Sequence, residues 1–350
     1  MADNENKDVE PKKDSKINAF IQKHGKKKLI IGTCGVVAVI VLIVGLSVGL
    51  TTCNKGSSNS SSTSSSSSGK LPEVGSTPVF SSDNKTCTYG IYPQTHVSDE
   101  NTVKALNALT KTESNGWYLY NNYYYAKTNV SLNDNNEEDN LKFSDGTVIN
   151  NGDTCWFRCD LIKWNVIKTS ADTYTLLSSS LLNNPVFDKE KENVNTVNYK
   201  TSDVREWLNA DFYNSAFADN AYIQTTEVDN SPATTGKTEN PFACENTSDK
   251  VYLLSYVDYM NADYGFDTKN DISSTRIFQL TDYAIACGAA FDVSDDGKYV
   301  GYFMTRSISS YGDYCEGCHG SPSGVMYDHY EKWYRNNMCV QPAIKISKTK

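Results

Sequence analysis

The chain has 350 residues, with 33 Lys and Arg against 42 Asp and Glu, a formal net charge of −9. The length suits one large domain or two small ones, and the acidic balance argues against a nucleic-acid partner, which needs a basic face. Four histidines against ten cysteines turn attention from imidazole chemistry to thiols.

Charge is unevenly spread. Residues 1–28 carry 8 Lys and 5 acids, a net of +3, and read as a basic cytoplasmic tail. From Leu29 to Leu50 no residue is charged and Val, Ile and Leu dominate. As a helix at about 1.5 Å per residue the stretch spans ~33 Å, enough for a ~30 Å hydrocarbon core. Lys26, Lys27 and Lys28 precede it, and Lys55 is the only basic residue before Lys70. The positive-inside bias then predicts a single-pass signal-anchor helix over 29–51, held in the lipid bilayer of the cell membrane with the C-terminal part extracellular. A cleaved signal peptide fits less well, because the leading region is long. Leu50-Thr51-Thr52-Cys53 resembles a lipid-attachment box, but its two threonines depart from the small-residue pattern. Residues 52–79 form a Ser-rich linker, with GSSNSSSTSSSSSG at 56–69, expected to be a flexible tether.

Residues 80–350 read as an α+β extracellular domain. Ser98 is placed to cap a helix carrying Val103, Leu106 and Leu109. Phe157 to Lys168 and Tyr174 to Ser178 predict strands joined by a Ser-Ala-Asp turn. Ser202 or Asp203 caps a second helix, whose Val204, Trp207, Leu208 and Phe212 form an apolar stripe. Lys250 to Tyr256 predicts a buried strand, Asp295-Asp296-Gly297 a hairpin turn, and Val340 to Ile346 a closing strand.

Six segments in order carry a resemblance: Tyr92-Pro93-Gln94-Thr95, Ile162 to Ile167 (IKWNVI), Ser202 to Asn209 (SDVREWLN), Lys250 to Ser255 (KVYLLS), Thr281-Asp282-Tyr283-Ala284 and Val340 to Ile344 (VQPAI). Together they are similar to an uncharacterised bacterial surface domain of unknown function, over residues 87–347. That resemblance implies a C-type-lectin-like fold, related to formylglycine-generating enzymes. The family's aromatic-Leu-Arg-Ser-Pro stretch is replaced here by Phe303-Met304-Thr305-Arg306-Ser307. Gln341 stands where the family has Arg, so no binding role is implied at that position.

Eight cysteines lie in this domain: Cys87, Cys155, Cys159, Cys244, Cys287, Cys315, Cys318 and Cys339. Outside the cell an even count predicts disulfides, of unreadable pairing. Cys155, Cys159, Cys315 and Cys318 also have the composition of a structural zinc site. Cys315-Glu316-Gly317-Cys318-His319 has the haem-attachment spacing, without a second copy or an assigned distal ligand. The same pair lies in a region similar to the Cys pair of formylglycine-generating enzymes, although Glu316 would raise a thiol pKa rather than lower it. Calcium is considered at Asp292 to Gly297, where Phe303 replaces the required Glu, and at Asn133 to Asn140. Trp117, Tyr118, Tyr120, Tyr123 and Tyr124 form a dense aromatic run suited to a binding surface. With no hydrolase triad and no phosphate loop, the expected function is non-catalytic binding of an extracellular glycan or protein without a cofactor. The alternatives are a Cys-dependent oxidase and a structural envelope protein.

Overall fold

A long, alternately buried strand organises the molecule. The computed structural model describes residues 75–133, 140–189, 197–311, 314–331 and 337–350, all in the second of two units, Ser66–Lys350; the first, Met1–Ser65, lies outside the described residues. The elements in chain order are β1 (Val79–Phe80), β2 (Thr86–His96), α1 (Glu100–Asn107), β3 (Tyr118–Tyr120), β4 (Tyr123–Asn129), β5 (Thr154–Thr169), β6 (Thr173–Ser178), α2 (Asp203–Trp207) and α3 (Tyr213–Ala216). They continue with β7 (Ile223–Gln224), β8 (Thr226–Val228), β9 (Thr247–Asp249), β10 (Val251–Tyr252), α4 (Asp282–Ala286), β11 (Phe291–Val293) and β12 (Tyr299–Gly301). The last four are β13 (Phe303–Tyr311), β14 (Tyr314–Gly320), β15 (Met326–Glu331) and β16 (Ala343–Ser347).

β5 pairs antiparallel with β2 along one edge and with β4 and then β6 along the other. The sheet continues from β6 to β16, whose second edge takes both β7 and β10. Separate ladders join β8 to β9, β11 to β12, and β13 through β14 to β15. Trp164 of β5 is fully buried, and its indole N–H donates to the Tyr89 carbonyl at 2.8 Å. Opposite it β2 bulges, with Thr88 and Ile91 facing Lys163 and Leu161. Gly90 makes the bulge at φ +72°, and a Cβ there would sit 2.7 Å from the Phe217 ring.

The predicted helix starts form with local caps. Asp99, one residue past Ser98, accepts from the Thr102 N–H, and Ser202 accepts from the Arg205 N–H. Val204, Leu208 and Phe212 all point into the core, although the chain widens to a π-turn over Leu208–Phe212. The hairpin at Asp295-Asp296-Gly297 joins β11 to β12, with Gly297 at φ +76°.

Two expectations are corrected here. The architecture is mostly β rather than α+β, and no C-type-lectin-like fold is shown. Among the described residues the longest helix has eight residues, about 12 Å, and the stripe at 204–212 is broken into short turns while strands build the core. In addition, no helix among the described residues is long and apolar enough to cross a membrane. That finding stands against the transmembrane signal-anchor and the single-pass cell-membrane location read from it. Residues 29–51, the linker to 74 and Cys53 themselves lie outside the described residues.

A buried carboxylate network ties α4 to β2. Asp282 accepts from the His96 N–H, the Ser144 N–H and the Ser144 hydroxyl at 2.7–3.0 Å. Beside it, His96 Nδ1 lies 2.9 Å from Asp145 Oδ2, its ring stacked on Phe143. Burial alone would raise the Asp145 pKa, but hydrogen bonds from Thr147, His96 and Ser98 outweigh it and hold the carboxyl at about 2. The unfolded chain therefore binds more protons between about pH 4 and pH 2, and the stabilisation present above pH 4 is lost across that window as pH falls. Asp145→Asn should cost on the order of 1 kcal/mol at pH 7, after solvent screening. Its urea-unfolding free energy should converge with the wild type's near pH 2, the Asn variant losing less on acidification.

Candidate functional site

The best-formed cavity, of about 330 Å³, opens where β8, β10, β16 and β13 meet. Its wall is built around Arg306, and a local irregularity puts it there. On β13, Met304 and Ile308 face His319 and Gly317 of β14, so three residues stand opposite one. The extra residues leave the ladder and turn Arg306 toward the cavity. The loop-out is held by side chains: the Thr305 hydroxyl donates to the Cys318 carbonyl at 2.9 Å, and the Ser307 hydroxyl donates to the Thr234 carbonyl at 3.0 Å. The Arg306 N–H donates to the Leu254 carbonyl at 3.0 Å.

The guanidinium is only 8% exposed. Nε donates to the Asp229 carbonyl at 3.0 Å, and Nη1 donates to the Leu253 carbonyl and to Asp258 Oδ2, both at 2.8 Å. Asp258 is itself fixed by the Ser255 N–H at 2.8 Å. Nη2 meets no acceptor among the described residues, so the head is locked in place with one nitrogen unused, and Arg306 lines the cavity. Lys168 and Lys345 line the same cavity. The rim carboxylates of Glu227 and Asp229 are engaged elsewhere, by the Asn246 amide and the Ser231 N–H. Tyr252 and Tyr264 complete the lining, and burial pushes both phenols up, so they stay protonated. Among the described residues no histidine or cysteine borders the cavity.

Arg306 was not singled out by sequence reasoning. Its sequence signals are a charge inside the otherwise apolar and small run from Phe303 to Ile308 and the Arg306-Ser307 pair in the stretch compared with the family's Arg-Ser. Gln341, in the position where an Arg was absent, is fully buried and structural, donating to the Ser178 carbonyl and accepting from the Tyr259 hydroxyl.

A family described as Domain of unknown function (DUF6273) matches residues 172–346, half of the chain. The chain belongs to that family. The DUF6273 region contains Asp258, Arg306 and Lys345, whereas Lys168 just precedes it. The YPQT and IKWNVI segments fall outside the match. No motif or fold similarity to formylglycine-generating enzymes is shown. No curated protein and no solved structure matches the chain.

The aromatic run does not form one surface. Trp117 and Tyr124 are buried in the main core, Tyr118 and Tyr120 are half-buried, and only Tyr123 stands open at 50% exposure. Arg158 lies over the Tyr123 ring at 5.7 Å. Trp117 and Tyr118 do border a second, wider cleft of about 680 Å³.

The cysteines are scattered. Cys87, Cys155, Cys159, Cys244, Cys287 and Cys339 stand as free thiols. Burial pushes all six up, Cys287 to about 11 and Cys87 to about 12, so they are protonated at neutral pH. Cys155 and Cys159 are four residues apart on β5, about 13 Å along a strand, which no single tetrahedral zinc can bridge. Cys315 and Cys318 lie on β14; Cys318 is buried near the Asp328 carbonyl, and the Cys315 side chain lies outside the described residues. His319 is buried and stacks on Tyr327. No cluster of three metal-ligating side chains occurs among the described residues. Asp292 opens the β11–β12 hairpin, and the acidic stretch at 134–139 lies outside the described residues.

Proposed function

We propose that this domain is a non-catalytic binding module that seats a small anionic ligand in the Arg306 cavity. The observation that carries the reading is the Arg306 head: buried, fixed through Nε and Nη1, lining the cavity, and with no acceptor on Nη2 among the described residues. A guanidinium immobilised this way binds an oxyanion without further ordering, and charge-assisted hydrogen bonds are the strong ones. Asp258 offsets the arginine's charge and Glu227 and Asp229 offset Lys168 and Lys345, so the lining carries no net charge and recognition rests on directed hydrogen bonds from the fixed guanidinium and the two lysines. The volume, about 330 Å³, sits at the lower end for small-molecule sites.

The test is thermal unfolding of the full chain with glutamate, citrate, glucuronate or inorganic phosphate, followed by calorimetric titration of any hit. At least one should raise Tm saturably, as a ligand selective for the folded state must. Arg306→Lys keeps the ion pair with Asp258 but loses the planar fork, and should weaken binding by about ten- to a hundredfold. Lys345→Met should weaken it by less. If none of the four anions shifts Tm, or Arg306→Lys binds as wild type, the reading fails.

A further inference from the structure

We infer that the second cleft, beside the β3–β4 hairpin, binds a neutral saccharide, independently of the Arg306 cavity. The cleft measures about 680 Å³ and joins residues that are far apart in sequence: the 112–118 segment, β4, the start of β5, and Tyr283 of α4. Its chemistry differs from that of the first cavity. Half-buried Tyr118 and Tyr283 supply aromatic surface, with the largely buried Trp117 behind it, and threonine hydroxyls and asparagine amides supply much of the rest.

The aromatic groups are rigid. Tyr118 meets Trp156 edge-on at 4.9 Å, and Trp117 meets Tyr92 edge-on at 6.0 Å. Tyr283 is wedged against Phe157 at 5.4 Å. Rings fixed by their neighbours present apolar area without an ordering cost. The C–H face of a pyranose complements such a surface, and its hydroxyls complement amides.

One polar group has an unused donor. Asn115 Oδ1 accepts from the Trp117 N–H at 3.1 Å, while its Nδ2 has no partner among the described residues. Among the described residues the single charged side chain lining the cleft is Lys127. Its ammonium reaches Asn107 Oδ1 at 3.4 Å and lies 5.1 Å from the Trp156 ring centre. Lys127 keeps its positive charge, but the rest of the lining is uncharged: Thr112, Asn115, Thr128, Asn129 and Thr154 beside aromatic rings suit a polyol with apolar faces.

The experiment follows the tryptophan fluorescence of the full chain during titration with four neutral trisaccharides: cellotriose, chitotriose, xylotriose and maltotriose. At least one should give a saturable change. Tyr118→Ala should weaken it by about tenfold. Because that substitution also removes a packing contact, Thr112→Phe provides a second arm. Thr112 is exposed on the cleft wall, so the added ring fills the cleft without disturbing the core, and it should abolish the response. No response to any of the four sugars overturns the inference. So does a response that both variants retain.

Discussion

Arg276→Met should lower stability by about 4 kcal/mol, measured as a fall in the urea midpoint at constant slope. Arg276 is completely buried without a carboxylate partner in hydrogen-bond contact. Five main-chain carbonyls receive its five N–H groups instead: Gly324 through Nε, Tyr259 and Asp267 through Nη1, and Lys269 and Asp271 through Nη2, at 2.6–3.2 Å. The guanidinium thus replaces the water that the 259–271 loop would otherwise need. Methionine fills much of the volume but leaves all five carbonyls dry and unpaired, each costing about 1–3 kcal/mol before relaxation lets water in. Lysine offers three donors for five acceptors, so Arg276→Lys should fall between wild type and Met. Amide exchange should accelerate first in the loop from Tyr259 to Arg276, well before global unfolding.

Gly324→Ala should cost about 3 kcal/mol through the same joint. Gly324 sits at φ +77°, where a side chain strains the backbone, and its Cβ would lie 2.0 Å from the Ser273 carbonyl oxygen. The Ser273 N–H donates to the Ser323 carbonyl at 3.2 Å, so the clash cannot be relieved without opening that contact. The displaced Gly324 carbonyl is also the acceptor of Arg276 Nε at 2.7 Å. Because both substitutions break one joint, the double variant should cost less than the sum of the singles in a thermodynamic cycle. Strict additivity would show that the turn and the arginine are independent.

Local chemistry made much of this fold legible. The cap before Arg205, the β5–β6 hairpin and the turn at Gly297 each depend on a few consecutive residues. What failed depended on distant partners. KVYLLSY has the composition of a seven-residue strand, yet only Val251 and Tyr252 pair: in the antiparallel register Leu253 would face Pro342, which has no N–H and precedes the start of β16 at Ala343, while β7 takes the edge on the Lys250 side. Leu253 and Leu254 are buried by tertiary contact alone. The aromatic run was read as a single surface, but strand alternation sends Tyr124 inward and Tyr123 outward. Arg306 was invisible as a site residue because its role arises from a register shift against β14, which no local pattern encodes. The cavity's other members come from six separate segments for the same reason.

The position of β16 has a kinetic consequence. Leu177 of β6 must wait for Ala343, and Tyr252 of β10 waits for the same residue. Everything between can collapse earlier, but the central ladder closes only after a very long loop has been searched. Such non-local pairing places refolding in the range of milliseconds to seconds. Throughout that interval β6 carries the apolar sequence TYTLLS with one bare edge, which makes this segment the point at which folding and aggregation compete.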